Sequence, residues 1–387
     1  MRDATLVTTL GRDPEQNDGI VNPPIQRAST ILFPTVDSLL AARPGPGVVN
    51  YGRYGTPTTF ALEEAVATLE GAGGAVVVGS GKGAIVATML ALLQAGDHVL
   101  VADNVYHPTR QTTDGLMKRM GVASDYFDPL VPEQVRQKIR KETRVVYLES
   151  PGSLTFEITD VAAIAEIAHA HGALVVFDNT WATPLYFKPY EHGVDVTIHA
   201  ATKYIGGHSD LMMGIVTSTA ALHGRLRQGI QDLGMSVSPE DCWLALRAIR
   251  TLDVRLRRHM ESGIEVAQWL QGRPEVARVL HPALPSDPGH ALWKRDFKGA
   301  SGLFGIVLNP ASPAAVAAML DDMELFGMGW SWGGYESLLI PTFPQKSRSA
   351  TAWRPEGPCL RIHVGLEDPD DLTADLDAGF ARLRAAS

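Results

Sequence analysis

The chain has 387 residues, of which 45% are hydrophobic and 20% are charged, and its formal net charge at pH 7 is −9. This composition is typical of a globular protein of two or three domains whose core needs no disulfides, and the two cysteines, Cys242 and Cys359, do not form a disulfide framework. The acidic balance without a long basic run argues against a nucleic-acid partner, no apolar run approaches the roughly 20 residues that cross a bilayer, and the first residues lack the apolar segment of a signal peptide. We therefore expect a cytoplasmic protein with neither a nucleic-acid nor a membrane partner.

Residues 1–56 are poor in regular pattern because prolines interrupt them repeatedly, at positions 23, 24, 34, 44 and 46. Such a segment has little core of its own. We expect it to be an N-terminal arm that lies against a neighbouring subunit. A helix follows, with Thr58 or Thr59 as its cap and with Leu62, Val66 and Leu69 on one face.

From residue 75 the chain alternates between short apolar strands and helices. The predicted strands are 75–78, 98–102, 144–148, 173–177 and 194–198, and the predicted helices are 83–93 and 161–169. Continuous apolar strands separated by helices indicate an α/β fold with a mostly parallel sheet that is covered on both faces.

After about residue 220 the chain becomes more helical, with an arginine- and leucine-rich stretch at 244–259. A second, smaller sheet is predicted from strands at 301–308 and 360–364, with helices at 313–320 and 370–384. The predicted organisation is an arm (1–56), a large domain (57–250) and a smaller C-terminal α+β domain (251–387).

Polar and reactive residues follow the predicted strands of the large domain. They are Gly79-Ser80-Gly81-Lys82-Gly83, Asp103-Asn104-Val105-Tyr106, Glu149-Ser150-Pro151, Asp178-Asn179-Thr180-Trp181 and Ala201-Thr202-Lys203. Ligands of open α/β sheets bind beyond the carboxyl ends of the strands. The pattern therefore predicts an active site at this edge of the sheet.

The glycine-rich segment leads directly into a helix, where backbone N–H groups and the helix dipole favour a phosphate. Gly79, Gly81 and Ala84 also fit the dinucleotide fingerprint, with Asp103 in the place of a ribose-binding acid. A tight turn without a ligand explains the same glycines. This feature alone leaves a nucleotide-dependent oxidoreductase open.

Lys203 and Asp178 favour a different chemistry. A desolvated lysine at a strand end, close to a cationic cofactor, acts as nucleophile and base because its pKa is lowered. A carboxylate such as Asp178 keeps a pyridinium nitrogen protonated and makes the ring an electron sink. His199 and His208, on either side of Lys203, lack the spacing and the thiolates of a zinc site, so no metal is predicted.

Over nearly its whole length the chain resembles the pyridoxal-phosphate-dependent enzymes of cysteine and methionine metabolism, and bacterial cystathionine β-lyases in particular. The matching stretches are Tyr51-Gly52-Arg53, Leu69-Glu70-Gly71, Gly96-Asp97, Glu149-Ser150-Pro151-Gly152-Ser153, Asp178-Asn179-Thr180-Trp181, Ala200-Ala201-Thr202-Lys203-Tyr204, Gly207-His208-Ser209-Asp210, Ser331-Trp332-Gly333-Gly334-Tyr335-Glu336-Ser337 and Leu360-Arg361-Ile362-His363-Val364-Gly365-Leu366-Glu367-Asp368. The Pro-Gly-Ser and Ser-Trp-Gly-Gly stretches are more similar to β-lyases than to γ-lyases or γ-synthases.

The resemblance implies a fold-type I enzyme with pyridoxal 5'-phosphate as its cofactor, and it implies a role for each matching residue. Lys203 would hold the cofactor as a Schiff base, Asp178 would pair with the pyridine nitrogen and Tyr106 would stack on the ring. Gly81, the backbone of Lys82 and the hydroxyl of Thr202 would hold the phosphate, together with Tyr51 and Arg53 of a neighbouring subunit. Arg361 would clamp the substrate carboxylate in a pocket shaped by Ser331, Trp332 and Tyr51.

The implied reaction is α,β-elimination of cystathionine, or of a related S-substituted cysteine, to a thiol, pyruvate and ammonia, as in transsulfuration and methionine biosynthesis. Lys203 and Tyr106 are the implied catalytic residues. The implied assembly is a homotetramer of dimers that share active sites. A γ-lyase or γ-synthase of the same family and a non-catalytic binding protein of the same fold remain alternatives.

Four positions depart from the pattern of the family. Lys82 stands where Met or Ala is expected, and Ala200 where many relatives carry a phosphate-binding serine. Tyr54 and Gln111 replace an Arg and an Asp of well-known bacterial β-lyases. The last two changes predict a less charged distal substrate pocket.

Overall fold

The computed structural model describes residues 1–387 and contains two sheets. The strands are β1 (Gly74–Val78), β2 (His98–Ala102), β3 (Ala123–Phe127), β4 (Thr143–Glu149), β5 (Leu174–Asp178), β6 (Val196–Ala200), β7 (Gly214–Ser218), β8 (Val276–Leu280), β9 (Leu303–Leu308), β10 (Leu338–Thr342) and β11 (Cys359–His363). The large sheet has seven strands in the order β1-β7-β6-β5-β4-β2-β3, and the small sheet has four in the order β10-β11-β9-β8.

Helices cover these sheets and connect their strands. They are α1 (Asp3–Thr9), α2 (Val36–Ala41), α3 (Pro57–Glu70), α4 (Gly81–Leu92), α5 (His107–Gln111), α6 (Glu133–Lys138), α7 (Val161–Ala170), α8 (Thr183–Tyr186), α9 (Ala220–Asp232), α10 (Pro239–Ile249), α11 (Leu252–Gln271), α12 (His290–Asp296), α13 (Pro313–Leu320) and α14 (Pro369–Ala385). A π-helical stretch, Thr112–Met117, continues α5. No helix combines the length and the apolar character that a membrane crossing requires.

The large sheet is mostly parallel, as predicted, but its β7 strand is antiparallel to both neighbours. β7 returns directly beside β6, with Ala200 opposite Gly214, and also pairs with β1. The connection between β6 and β7 carries Lys203. The two ends of this connection are joined by hydrogen bonds: the Thr202 N–H donates to the Met213 carbonyl (3.3 Å), and the Met213 N–H donates to Thr202 Oγ1 (3.0 Å).

The central strands are buried on both faces, which explains their continuous apolar runs. Every residue of β2 is buried, as is the stretch Val145–Leu148 of β4. The predicted cap of α3 is wrong, because its N-cap is Thr56 and both Thr58 and Thr59 lie inside the helix, which has Pro57 at its first position. Other helix starts follow capping signals in the sequence. Ser80 caps α4 by accepting the Gly83 N–H (3.0 Å), and Asp160 caps α7 by accepting the Ala163 N–H (3.2 Å).

The region after residue 220 is rich in helices, as predicted, and its arginine- and leucine-rich stretch 244–259 spans the end of α10 at Ile249 and the start of α11 at Leu252. The first residues of the arm pack on their own chain, because α1 buries Val7 and the Arg250 guanidinium donates to the carbonyls of Val7 (3.1 Å) and Leu10 (2.5 Å). The remainder of the arm is largely exposed.

Candidate active site

Lys203 lies three residues after β6, in a cleft between the large sheet and the loop that precedes β10. Its Nζ donates to Ser331 Oγ (2.8 Å) and lies 5.3 Å from the centre of a Trp332 ring. Burial and the nearby Arg361 charge lower the pKa of Lys203 to about 8, against the opposing effect of Asp178. The amine is therefore neutral more often near neutral pH than an ordinary lysine.

Asp178 ends β5 on the same side of the sheet. Its Oδ1 accepts both the N–H (3.0 Å) and the hydroxyl (2.6 Å) of Thr180, whereas its Oδ2 accepts no hydrogen bond from the protein. Burial raises the pKa of Asp178, while the Thr180 hydrogen bonds and the charges of His199 and Lys203 lower it. An accessible carboxylate oxygen without a partner, on a residue that is otherwise buried, fits the protonated nitrogen of a pyridine ring.

Tyr106 and Arg361 complete the cleft from opposite sides. Tyr106 precedes α5 with 45% of its surface exposed, and the proximity of Glu149 and Asp178 together with burial raises the pKa of its phenol. Arg361 projects from β11, and its Nη2 donates to the carbonyls of Gly329 (3.1 Å), Trp330 (3.3 Å) and Ser331 (2.9 Å). Its Nε and Nη1 remain available for a carboxylate.

The start of α4 forms a small concave surface beside β6. A Cβ atom on Gly81 would lie 2.6 Å from the Cβ of Ala200, so only glycine fits there. The first N–H groups of a helix have no intrahelical partner and attract an anion. Gly81, the backbone of Lys82 and the nearby Ala200 thus fit a phosphate, and the free Asp178 oxygen fits the ring of the same cofactor.

The side chains of Thr202 and Lys82, both near the proposed phosphate position, differ in their surroundings. The Thr202 hydroxyl lies at the neck of the β6–β7 connection, 3.2 Å from the Met213 carbonyl. The Lys82 side chain is exposed to solvent at the helix start.

Tyr51 and Arg53 are not brought together with the other predicted site residues within one chain. Tyr51 packs edge-on against Tyr54, with ring centres 6.3 Å apart. The Arg53 guanidinium covers Tyr54 at 4.4 Å and donates to the Gln231 carbonyl (3.0 Å) at the end of α9. Neither forms a hydrogen bond or an ion pair with Lys203.

Asp103 does not have the free carboxylate that a ribose-binding acid needs. It is buried and forms an ion pair with Arg110, and it accepts the N–H groups of Ser349 (3.0 Å), Ala350 (3.1 Å) and Thr351 (2.7 Å). The carboxylate thereby attaches the loop after β10 to the end of β2. The nucleotide-binding interpretation of Asp103 is wrong because all of its acceptor positions are directed at the protein itself.

A second polar cluster lies on the α3 side of the sheet, behind the cleft. Glu70 is buried and accepts hydrogen bonds from His199 Nε2 (2.7 Å), Asn179 Nδ2 (3.0 Å) and Thr217 Oγ1 (2.5 Å), and these donors together lower its pKa against the effect of burial. His199 is therefore part of a hydrogen-bond network of the core. No group of three or more His, Cys, Asp or Glu side chains is arranged to hold a metal ion.

Sequence reasoning assigned no role to Glu149, although it lies at the centre of the site. Glu149 ends β4 directly beside Asp178 on β5, and its Oε2 accepts the backbone N–H of Tyr106 (2.6 Å). The signal available in the sequence was its position at a strand end.

Comparison with known proteins gives a consistent result along the whole chain. The family model described as "Cys/Met metabolism PLP-dependent enzyme" matches residues 4–381. Cystathionine β-lyases of Salmonella typhimurium and Escherichia coli are 43% and 42% identical to this chain over 390 residues, and each match covers 98% of this chain and 98% of the relative. A crystal structure of cystathionine γ-synthase from Xanthomonas oryzae pv. oryzae, in complex with aminoacrylate and cysteine, superposes with a TM-score of 0.91 at 34% identity and covers 100% of both chains.

Proposed function

Because this chain belongs to the Cys/Met metabolism PLP-dependent enzymes, we propose that it is a carbon–sulfur β-lyase. Its cofactor is pyridoxal 5'-phosphate. The proposed substrate is cystathionine or a related S-substituted cysteine, and the products are a thiol (homocysteine from cystathionine), pyruvate and ammonia. The arrangement of the Lys203 amine against Ser331, with Arg361 at the same loop, carries the proposal, and the β-lyase names of two full-length relatives support it.

The proposed cofactor residues each supply one interaction. Lys203 would carry the cofactor covalently, and the free Asp178 oxygen would hold the proton of the ring nitrogen. Tyr106 would stack on the ring. The phosphate would be held by the N–H groups of Gly81 and Lys82 and by the Thr202 hydroxyl. When bound, the cofactor supplies an electron sink for the charge that develops at the substrate α-carbon.

The substrate would be oriented by Arg361, whose guanidinium can donate charge-assisted hydrogen bonds to the α-carboxylate. Ser331 and Trp332 would line the same pocket. This orientation directs the α-hydrogen towards Lys203, so that the amine removes the proton without a large conformational search.

Proton transfer would then complete the elimination. The neutral Lys203 amine takes the α-proton, and the carbon–sulfur bond breaks with both electrons on sulfur. Lys203 returns the proton to sulfur, or the Tyr106 phenol, which its raised pKa keeps protonated at neutral pH, donates its own. Assistance of this kind accelerates reactions by about 10²–10⁴-fold. Water converts the remaining fragment into pyruvate and ammonia.

The assembly that we propose is a homotetramer of dimers with shared sites, in the cytoplasm. Two observations support shared sites. The arm exposes large apolar side chains, such as Leu32 (88%) and Leu40 (66%). Arg53, near its end, donates to the Gln231 carbonyl of α9 and forms no hydrogen bond with Lys203 of its own chain. Tyr51 and Arg53 would then act at the phosphate, and Tyr51 also near the substrate, of the neighbouring subunit. The division into an arm (1–56), a large domain (57–250) and a C-terminal domain (251–387) belongs to the same proposal.

A γ-lyase or γ-synthase is the second candidate, because the superposed crystal structure is a γ-synthase. Product analysis with cystathionine separates the two. A β-lyase forms pyruvate and homocysteine, whereas a γ-lyase forms 2-oxobutyrate and cysteine. Formation of 2-oxobutyrate without pyruvate would overturn the proposed function.

A further inference from the structure

Two carboxyl groups lie side by side at the centre of the site. Glu149 and Asp178 end the neighbouring parallel strands β4 and β5 and are direct partners in their register. Partners in register project from the same face of a sheet. Two carboxylates this close in a buried site cannot both ionise at their ordinary pKa, because each negative charge disfavours the other.

The surroundings decide which of the two ionises first. Burial raises the pKa of Asp178, but both hydrogen bonds from Thr180 and the nearby Lys203 and His199 limit that rise. Glu149 forms no ion pair, and its Oε2 accepts the Tyr106 N–H (2.6 Å). Burial and the Asp178 charge raise the pKa of Glu149 well above its ordinary value, against smaller effects of the Tyr106 N–H and of Ser153.

The other titratable groups around the pair do not reverse this order. Burial and the nearby Asp178 charge raise the pKa of the Tyr147 phenol well above its ordinary value, so it remains neutral. Arg361 donates to the carbonyls of Gly329, Trp330 and Ser331 and forms no ion pair with Glu149. The proton of the pair therefore resides on Glu149 and the negative charge on Asp178.

We propose that Glu149 is a positioning residue of the cofactor site that remains protonated at neutral pH. In this state it leaves Asp178 as the single negative charge of the pair, available to the cofactor ring nitrogen. Its Oε2 also fixes the backbone of Tyr106, the residue proposed to stack on the ring. The inference rests on the cofactor of the family and not on the β-lyase reaction, so γ-chemistry would leave it intact.

If Glu149 is neutral, an amide can replace its carboxyl group without loss of cofactor binding. If the site instead needs a second negative charge at Glu149, the amide cannot replace it. Glu149→Gln retains an oxygen at the same distance for the Tyr106 N–H and adds no charge. Glu149→Ala leaves that N–H without its partner. We expect titration of the apoenzyme with pyridoxal 5'-phosphate to give a Kd within about twofold of wild type for Glu149→Gln and about fivefold weaker binding for Glu149→Ala, since the net contribution of one ordinary hydrogen bond is about that factor.

The absorption spectrum of the bound cofactor should be the same in wild type and Glu149→Gln at neutral and lower pH, as long as both are folded. Glu142→Gln, which changes an exposed glutamate immediately before β4, serves as the matched control. Binding as weak in Glu149→Gln as in Glu149→Ala would show that a negative charge is required and would overturn the proposal. Binding in folded Glu149→Ala as tight as in wild type would remove Glu149 from the support of Tyr106 and also overturn it.

Infrared spectroscopy tests the protonation state directly and does not depend on the folding of Glu149→Ala. The difference spectrum between wild type and Glu149→Gln at neutral pH should contain the C=O stretch of a protonated carboxyl group. A carboxylate band in its place would contradict the proposal, whatever the cofactor affinities.

Discussion

Removal of the Asp103 carboxylate should destabilise the enzyme far more than removal of an ordinary surface carboxylate. Asp103 is 1% exposed, pairs with the buried Arg110, and accepts N–H groups from Ser349 and Thr351. In Asp103→Ala the guanidinium stays buried without its partner. Breaking a buried ion pair in this way costs about 3–5 kcal/mol.

Urea denaturation at one fixed protein and cofactor concentration measures this cost, since both concentrations shift apparent stability. The matched control is Asp125→Ala, which breaks the ion pair of a carboxylate that is 40% exposed with an Arg140 that is 47% exposed. A surface pair of this kind contributes about 0–1 kcal/mol. The double variant Asp103→Ala/Arg110→Ala should be more stable than Asp103→Ala alone, because it removes the uncompensated charge. If Asp103→Ala lost no more stability than Asp125→Ala, the buried pair would not secure the 349–351 loop.

Four further outcomes concern the site. Lys203→Ala should fold but fail to retain the cofactor covalently, so cofactor fixed to this variant by borohydride would contradict the assignment. Arg361→Ala should raise KM about ten- to a hundredfold, the equivalent of about 1.5–3 kcal/mol for a charged hydrogen-bonded pair, and an unchanged KM would exclude it from the substrate pocket. Mixed dimers of Arg53→Ala and Lys203→Ala subunits should recover part of the activity if each site draws on two chains, whereas no recovery in verified mixed dimers argues against shared sites. Tyr54→Arg combined with Gln111→Asp should raise kcat/KM for cystathionine relative to an S-alkyl cysteine, because charged pairs are about twice as strong as neutral ones, and an unmoved ratio would refute the distal-pocket hypothesis.

The sequence was sufficient to predict the strands of the large sheet whose side chains are buried on both faces. The strand predicted at 98–102 is β2, and the helix predicted at 313–320 is α13. The fold type, the family and its cofactor are confirmed by the family model, which matches residues 4–381. These features are local patterns or are carried by motifs, so a single sequence contains them.

Relations between distant segments could not be predicted. The antiparallel β7 looks like any short apolar strand, since its direction depends on a return beside β6 that no local pattern records. Asp103 was interpreted as a ribose-binding acid because its partners in the 349–351 loop are about 250 residues away in the chain. The proximity of Glu149 to Asp178 depends in the same way on the register of β4 and β5.

The antiparallel return of β7 also has a consequence for Lys203, the residue that we propose binds the cofactor. Most loops at this edge of a parallel sheet lead from a strand into a helix, and such loops can adopt several conformations. The segment from Thr202 to Met213 is instead an Ω-like loop between two neighbouring strands. Hydrogen bonds between Thr202 and Met213 join its two ends, and the Arg255 guanidinium of α11 donates to its Tyr204 carbonyl (2.7 Å). The conformational entropy of this loop is therefore lost when the protein folds and not when the cofactor arrives. If Lys203 binds the cofactor as proposed, its amine is already held in place before the cofactor arrives.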